Sequence, residues 1–148
     1  MDALLRLVDR ARAAARPAVA PLAERRCSTE ADAAVLRRRF HAWISVLTDP
    51  ETADDLTLAV YEALANVVDH AYRDEVAPGP MLLRAEVVRT APTTVAVTVT
   101  DHGVWRTGAD PGYRGRGLTL LRGLTTEASV LSSPAGTTVR VRHALPST

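Results

Sequence analysis

Apolar residues recur at spacings of three and four through residues 56–71, at Leu56, Ala59, Val60, Ala63, Leu64, Val67, Val68 and Ala71. That period lays one broad apolar stripe along a helix. The pattern opens at Asp49-Pro50-Glu51. There Asp49 can accept from the first free N–H groups, and Pro50 brings a preset φ to the first helical position. Upstream, Leu36, Phe40, Trp43, Ile44 and Leu47 mark the buried face of another helix. Ser28 or Thr29 can cap it, and Asp32 stands three residues after Thr29 as in a capping box. A further helical pattern covers residues 2–16, with Leu4, Leu5 and Val8 as its stripe, and is broken by Pro17 and Pro21. Residues 22–28 read as a short edge strand.

After Pro78-Gly79-Pro80 the period changes to two. Met81, Leu83, Ala85 and Val87 face one way, Arg84 and Glu86 the other. Beyond a turn at Ala91-Pro92, Val95, Val97 and Val99 alternate with Thr94, Ala96, Thr98 and Thr100, which predicts an antiparallel hairpin. Glu127–Leu131 and Thr137–His143 predict two more strands across the turn Ser133-Pro134-Ala135-Gly136. Val139 and Val141 alternate there with Arg140 and Arg142, so one face of the sheet is expected to be buried and the other basic.

Between the two pairs of strands, residues 101–117 (DHGVWRTGADPGYRGRG) are too rich in Gly and Pro for regular structure. Loops longer than about a dozen residues in a compact domain are usually functional or disordered. Leu118, Leu120, Leu121 and Leu124 come next, at helical spacing. Glycines leading into a helix expose backbone N–H groups and the positive end of its dipole, an arrangement that binds phosphate without lysine. With no internal repeat or linker, the chain reads as an extension over residues 1–27 and one domain over 28–148.

Composition narrows the chemistry. Aromatic residues are 4% of the chain, so Ala, Val and Leu must build the core. All 18 basic residues are arginine. The absence of lysine excludes a P-loop lysine, a lysine Schiff base and a serine–lysine dyad. The net charge of +1 is unevenly spread: residues 41–75 carry one Arg against eight acids, while nine Arg face five acids before them and eight face four after. A nucleic-acid binder would concentrate basic charge with stacking aromatics, which this chain does not. A single cysteine, Cys27, forms no internal disulfide, and no apolar run reaches membrane-spanning length. With Asp9 and four Arg interrupting the first 16 residues, no signal peptide is evident, so a soluble cytoplasmic protein is expected. His41, His70, His102, His143 and Cys27 lack zinc-ligand spacing, and neither a nucleophile elbow nor a dinucleotide fingerprint is present.

On the long helical stretch, Glu62, Asn66, Asp69 and Arg73 succeed one another at steps of four, three and four and form a polar stripe. A carboxylate one turn from an amide oxygen suits a cation-bound phosphate, because both are hard ligands and the carboxylate can also take a proton. The same stripe equally suits a solvated helix face.

Taken in order, the chain presents E-x-x-x-N on a helix, D-x-G after a strand, a glycine-rich loop ending in GRGL, and G-T-T on the last strand. Over residues 28–145 this resembles the Bergerat-fold (GHKL, histidine-kinase-like) ATPases. The short length and the His70-Ala71 pair after the Asn bring it nearest the bacterial anti-sigma-factor serine/threonine kinases. The resemblance implies an α/β sandwich, with a mixed, mostly antiparallel sheet covered on one face by helices. It implies that Asn66 holds a Mg²⁺ on the phosphates of ATP and that Glu62 is the general base. Asp101 would accept from the adenine amino group, and Gly103 would let the backbone pass close to the base. Gly115, Arg116, Gly117 and Leu118 would form the lid hinge and the helix start over the phosphates, with Thr138 assisting at the adenine. The implied partners are a sigma factor and an anti-sigma-factor antagonist, met by a homodimer, with no nucleic acid and no membrane. A partner-binding module that has lost its chemistry is the alternative. A sensor histidine kinase fits less well, since its phosphoacceptor helices do not fit into the 27 N-terminal residues. Two positions depart from the family: Trp105 stands where a second glycine is common, and Asp69 where relatives often carry a basic residue.

Overall fold

A computed structural model of the chain describes residues 3, 4, 19–104 and 117–146. In chain order it contains β1 (Leu22–Cys27), α1 (Glu30–Ser45), α2 (Pro50–Asn66), β2 (Pro80–Val88), β3 (Thr94–Asp101), α3 (Leu118–Leu124), β4 (Glu127–Ser133) and β5 (Gly136–Ala144). A π-helical turn, Val67–Ala71, continues directly from α2. Apart from Ala3 and Leu4, the helix expected over residues 2–16 lies outside the described residues.

The strands form one sheet in the order β1-β2-β3-β5-β4. Every ladder among the described residues is antiparallel. Residues 22–27, placed with the extension on sequence grounds, pair with β2 at the sheet edge, from Leu22 opposite Ala85 to Cys27 opposite Pro80. Strand parity decides the faces. Met81, Leu83 and Ala85, Val95, Val97 and Val99, and Val139 and Val141 all turn to one side and are buried. α1 and α2 cover that side, closing a core with Leu36, Phe40, Ile44, Leu56, Val60 and Leu64. On the other face stand Arg84, Arg140 and Arg142, exposed among half-buried threonines.

Both long helices begin where local chemistry directs. Thr29 caps α1, its Oγ1 accepting from Asp32 N–H at 3.1 Å. The capping box is not reciprocal, because the Asp32 carboxylate takes the Thr29 hydroxyl at 3.2 Å while Thr29 N–H donates to Cys27 C=O. Asp49 caps α2, its Oδ2 accepting from Thr52 N–H at 3.0 Å, with Pro50 next in line. Hydrogen bonds from the side chain and backbone of Thr52 pull the Asp49 carboxyl down to about 2. α1 is also tied to the sheet edge: Arg39 donates to Glu24 at 2.9 Å, and Trp43 Nε1 donates to Ala20 C=O at 2.9 Å. No helix among the described residues is long and apolar enough to cross a membrane.

Phe40 is the chain's one phenylalanine and has no exposed surface. Phe40→Ala should cost about 3–5 kcal/mol in urea unfolding, because the cavity it leaves lies beneath α1 where the sheet cannot collapse freely. A loss below about 1 kcal/mol would show that another side chain fills the space. Asp49→Ala should lower the melting temperature in a pH-dependent way. The folded carboxyl, at about 2, lies below its ordinary 3.8, so its stabilisation is complete above pH 3.8 and disappears as pH falls through about 2. Melting curves of the two proteins should converge across that window.

Candidate nucleotide site

Glu62 and Asn66 occupy the last turn of α2. Asn66 is 6% exposed and Glu62 half-buried, whereas Asp69 and Arg73 face solvent. The polar stripe is therefore not one solvated face. Its first two members turn inward and its last two outward, and the change falls where the π-helical turn begins at Val67. A π turn accommodates an extra residue and shifts the phase of the residues after it, and such turns gather at functional sites. Asn66 Nδ2 donates to Glu62 C=O at 2.9 Å and to Glu62 Oε1 at 3.3 Å. Both bonds use the amide nitrogen, which leaves the amide oxygen beside a carboxylate.

That donor set fits Mg²⁺ held chiefly by phosphate. Among the described residues no cluster of three His, Cys, Asp or Glu could hold a metal by itself. Mg²⁺ retains its waters and binds through one or two protein oxygens plus substrate phosphates, so a pair is enough where a cage is lacking. Asn66 Oδ1 is the oxygen that would hold it, with the Glu62 carboxylate alongside.

Asp101 is the last residue of β3 and is 1% exposed. It shares the parity of Val95, Val97 and Val99, so its side chain points to the helix-covered side. Its Oδ1 accepts from Gly103 N–H at 3.0 Å, an Asx turn that fixes the carboxylate's direction. Within the fold itself, Gly103 is required by a close approach of two backbones. A Cβ there would lie 1.9 Å from the carbonyl oxygen of Ala71, the last residue of the π turn. The next residue, Val104, donates its N–H to that same oxygen at 2.9 Å. Gly136, with φ +140°, similarly lets β5 begin against Asp101, since a Cβ would meet the Asp101 carbonyl at 2.0 Å.

Thr138 does not join this group. It pairs with Thr100, their hydroxyls 3.4 Å apart, on the face of the sheet opposite Asp101. The residue across from Asp101 is Thr137, 2% exposed, with its hydroxyl 2.9 Å from Ser132. Parity decides the placement: Thr137, in phase with Val139 and Val141, is the threonine that faces the helices. Gly117 is buried at the N-cap of α3, a helix of seven residues with no side-chain cap bond, and Leu118 packs half-buried against the core. Gly115, Arg116 and Trp105 lie outside the described residues.

Sequence reasoning missed Tyr72, whose hydroxyl donates to Pro80 C=O and accepts from His102 N–H at 3.0 Å. Burial raises its phenol above the ordinary range, which keeps it protonated and able to donate. Elsewhere, a groove of about 480 Å³ runs between the outer faces of α1 and α2, lined by Arg37, Arg38, His41, Asp54, Leu58 and Tyr61 among others. It does not include Glu62, Asn66 or Asp101.

The fold has known counterparts. The RsbU and RsbW domains of Rv1364c from Mycobacterium tuberculosis superpose with a TM-score of 0.68 at 24% identity, over 85% of this chain and 32% of that one. At that identity the likeness shows a shared fold alone. The blue-light activated histidine kinase EL346 of Erythrobacter litoralis matches at TM-score 0.51 and 25% identity, over 66% of this chain and 32% of that one. The chain thus spans about a third of the length of each. The histidine kinase-like ATPase domain pattern matches residues 27–143, from the last residue of β1 to the penultimate residue of β5. With Glu62 and Asn66 turned inward from α2 and Asp101 buried across from Thr137, this chain belongs to the histidine kinase-like ATPase domain family.

Proposed function

We propose that this chain is a Mg·ATP-dependent serine/threonine protein kinase that phosphorylates an anti-sigma-factor antagonist and, in its other state, sequesters a sigma factor. The observation that carries the reading is the inward turn of Glu62 and Asn66 at the end of α2, with the amide nitrogen of Asn66 tied back to Glu62. Bound Mg²⁺ would neutralise charge on the triphosphate, with Asn66 Oδ1 as its protein ligand. Glu62 accepts the proton of the attacking Ser or Thr hydroxyl as its oxygen bonds to the γ-phosphorus and the bond to ADP breaks. Asp101 accepts from an exocyclic amino group of the base, in a direction set by its bond to Gly103 N–H. Phosphoryl transfer of this kind is mainly positioning and electrostatic stabilisation, so a small set of residues suffices. Gly115, Arg116 and Gly117 are proposed as the lid hinge, and a homodimer as the working unit.

One observation favours a second reading, a partner-binding module without useful chemistry. The groove between α1 and α2 carries two arginines, and Arg37 sits 5.2 Å over the Tyr61 ring. His41 Nε2 pairs with Asp54 at 3.0 Å, and Leu58 is 48% exposed. A basic rim around exposed apolar surface suits an acidic protein segment, and nothing in that groove needs ATP.

Incubation of the protein with Mg·[γ-³²P]ATP and a panel of antagonist proteins separates the readings. Label on a serine or threonine of one antagonist supports the kinase; complex formation without label on any of them supports the module. If the kinase reading holds, Asn66→Ala should weaken Mg·ATP binding at least about tenfold, since one charge-assisted contact contributes roughly 1.5–3 kcal/mol. Glu62→Gln should lower the rate of transfer about 10²–10⁴-fold with binding nearly intact. Unaltered transfer in both variants would remove these assignments. Mg·ATP at a hundredfold excess over its Kd should stabilise the wild-type protein by about 2.7 kcal/mol.

A further inference from the structure

We propose that Tyr72 is a positioning residue that holds the base-reading turn in register with the phosphate-holding end of α2, and thereby sets discrimination between bases. The proposal rests on the reading of Glu62, Asn66 and Asp101 as a nucleotide site. The two halves of that site sit on separate elements: Glu62 and Asn66 on α2, Asp101 at the end of β3. Their relative placement depends on whatever joins the π turn to residues 101–104.

Tyr72 stands at that junction, directly after the π turn. Its hydroxyl bonds three chain segments together by donating to the first carbonyl of β2, at Pro80, and accepting from the N–H of His102, the middle residue of the Asp101-His102-Gly103 turn. One residue earlier, the Ala71 carbonyl takes Val104 N–H at 2.9 Å. The turn is thus held from two adjacent residues, by a backbone acceptor on its far side and a phenol in its middle. The ring has little room to swing away, because it lies against Gly79, where a Cβ would come within 2.2 Å of ring carbon Cε1. Gly79 is fixed in turn by Ser28 N–H donating to its carbonyl at 2.9 Å. Loss of the hydroxyl would leave His102 N–H without its acceptor, while the backbone bond at Ala71 and the Asn66–Glu62 pair keep their partners. The consequence should therefore fall on the base end of the site and spare the phosphate end.

Tyr72→Phe tests this by calorimetry with three probes in Mg²⁺: ATP, GTP and inorganic tripolyphosphate. The expected result is a five- to tenfold loss of ATP affinity, an equal fall in the ATP/GTP ratio, and unchanged affinity for tripolyphosphate. Amide hydrogen exchange of the unliganded proteins supplies a second readout. His102 and Gly103 should exchange about tenfold faster in the variant while Leu64, in the core of α2, stays as protected as before. Equal losses on all three probes, or faster exchange throughout α2, would reduce Tyr72 to general support and overturn the proposal. An unchanged ATP/GTP ratio in the variant, with wild type binding ATP, would overturn it while leaving the nucleotide site standing. Failure of wild type to bind ATP at all would overturn both.

Discussion

The structure depends on one close approach of two backbones. The Ala71 carbonyl ends the helical run that begins at Pro50, and the chain leaving β3 is pressed against it so tightly that only a residue without a side chain can pass at position 103. Val104 N–H then satisfies that carbonyl, one of the orphan acceptors that every helix end leaves. Together with the bond from His102 N–H to the Tyr72 hydroxyl, this contact fixes the end of α2 against the end of β3, and so places Asn66 relative to Asp101. The rest of the fold supplies rigidity on either side: a five-stranded antiparallel sheet behind, and α1 buttressing α2 in front.

That single contact changes the meaning of the D-x-G motif. The aspartate and the glycine do different physical jobs. Asp101 is oriented by accepting the Gly103 amide, which uses one carboxylate oxygen for positioning. Gly103 contributes absence: it allows the turn to lie under the π turn. A substitution at either position would disturb the other, because the turn's hydrogen bond and the helix contact meet at Gly103.

Much of this was legible from period and cap chemistry. Asp49-Pro50 marked the start of α2, and the alternation from Met81 to Thr100 marked the β2–β3 hairpin. Features made by contacts distant in sequence, or by a change of phase, could not be read. Val67, Val68 and Ala71 keep the apolar spacing of the turns before them, so the period alone does not distinguish a π turn from continued α-helix. The tie between Tyr72 and His102 spans 30 residues and is invisible until the sheet is assembled. Thr137 is a different case, since its parity with Val139 and Val141 was written in the sequence. Only the pairing of Asp101 with Thr137 gives that parity a meaning.

α2 connects the two surfaces on which the competing functions rest. Thr57, Leu58 and Tyr61 line the groove shared with α1, while Glu62 and Asn66 turn toward the interior. Tyr61 and Glu62 are consecutive residues, about 100° apart around the helix axis. A protein segment engaging Arg37 and Tyr61 would press on the same helical turn that carries the carboxylate. Conversely, the groove is built without Asn66, Asp101 or the turn after β3. The groove and the inward-facing pair therefore meet on this helix at one turn, where Tyr61 and Glu62 are neighbours.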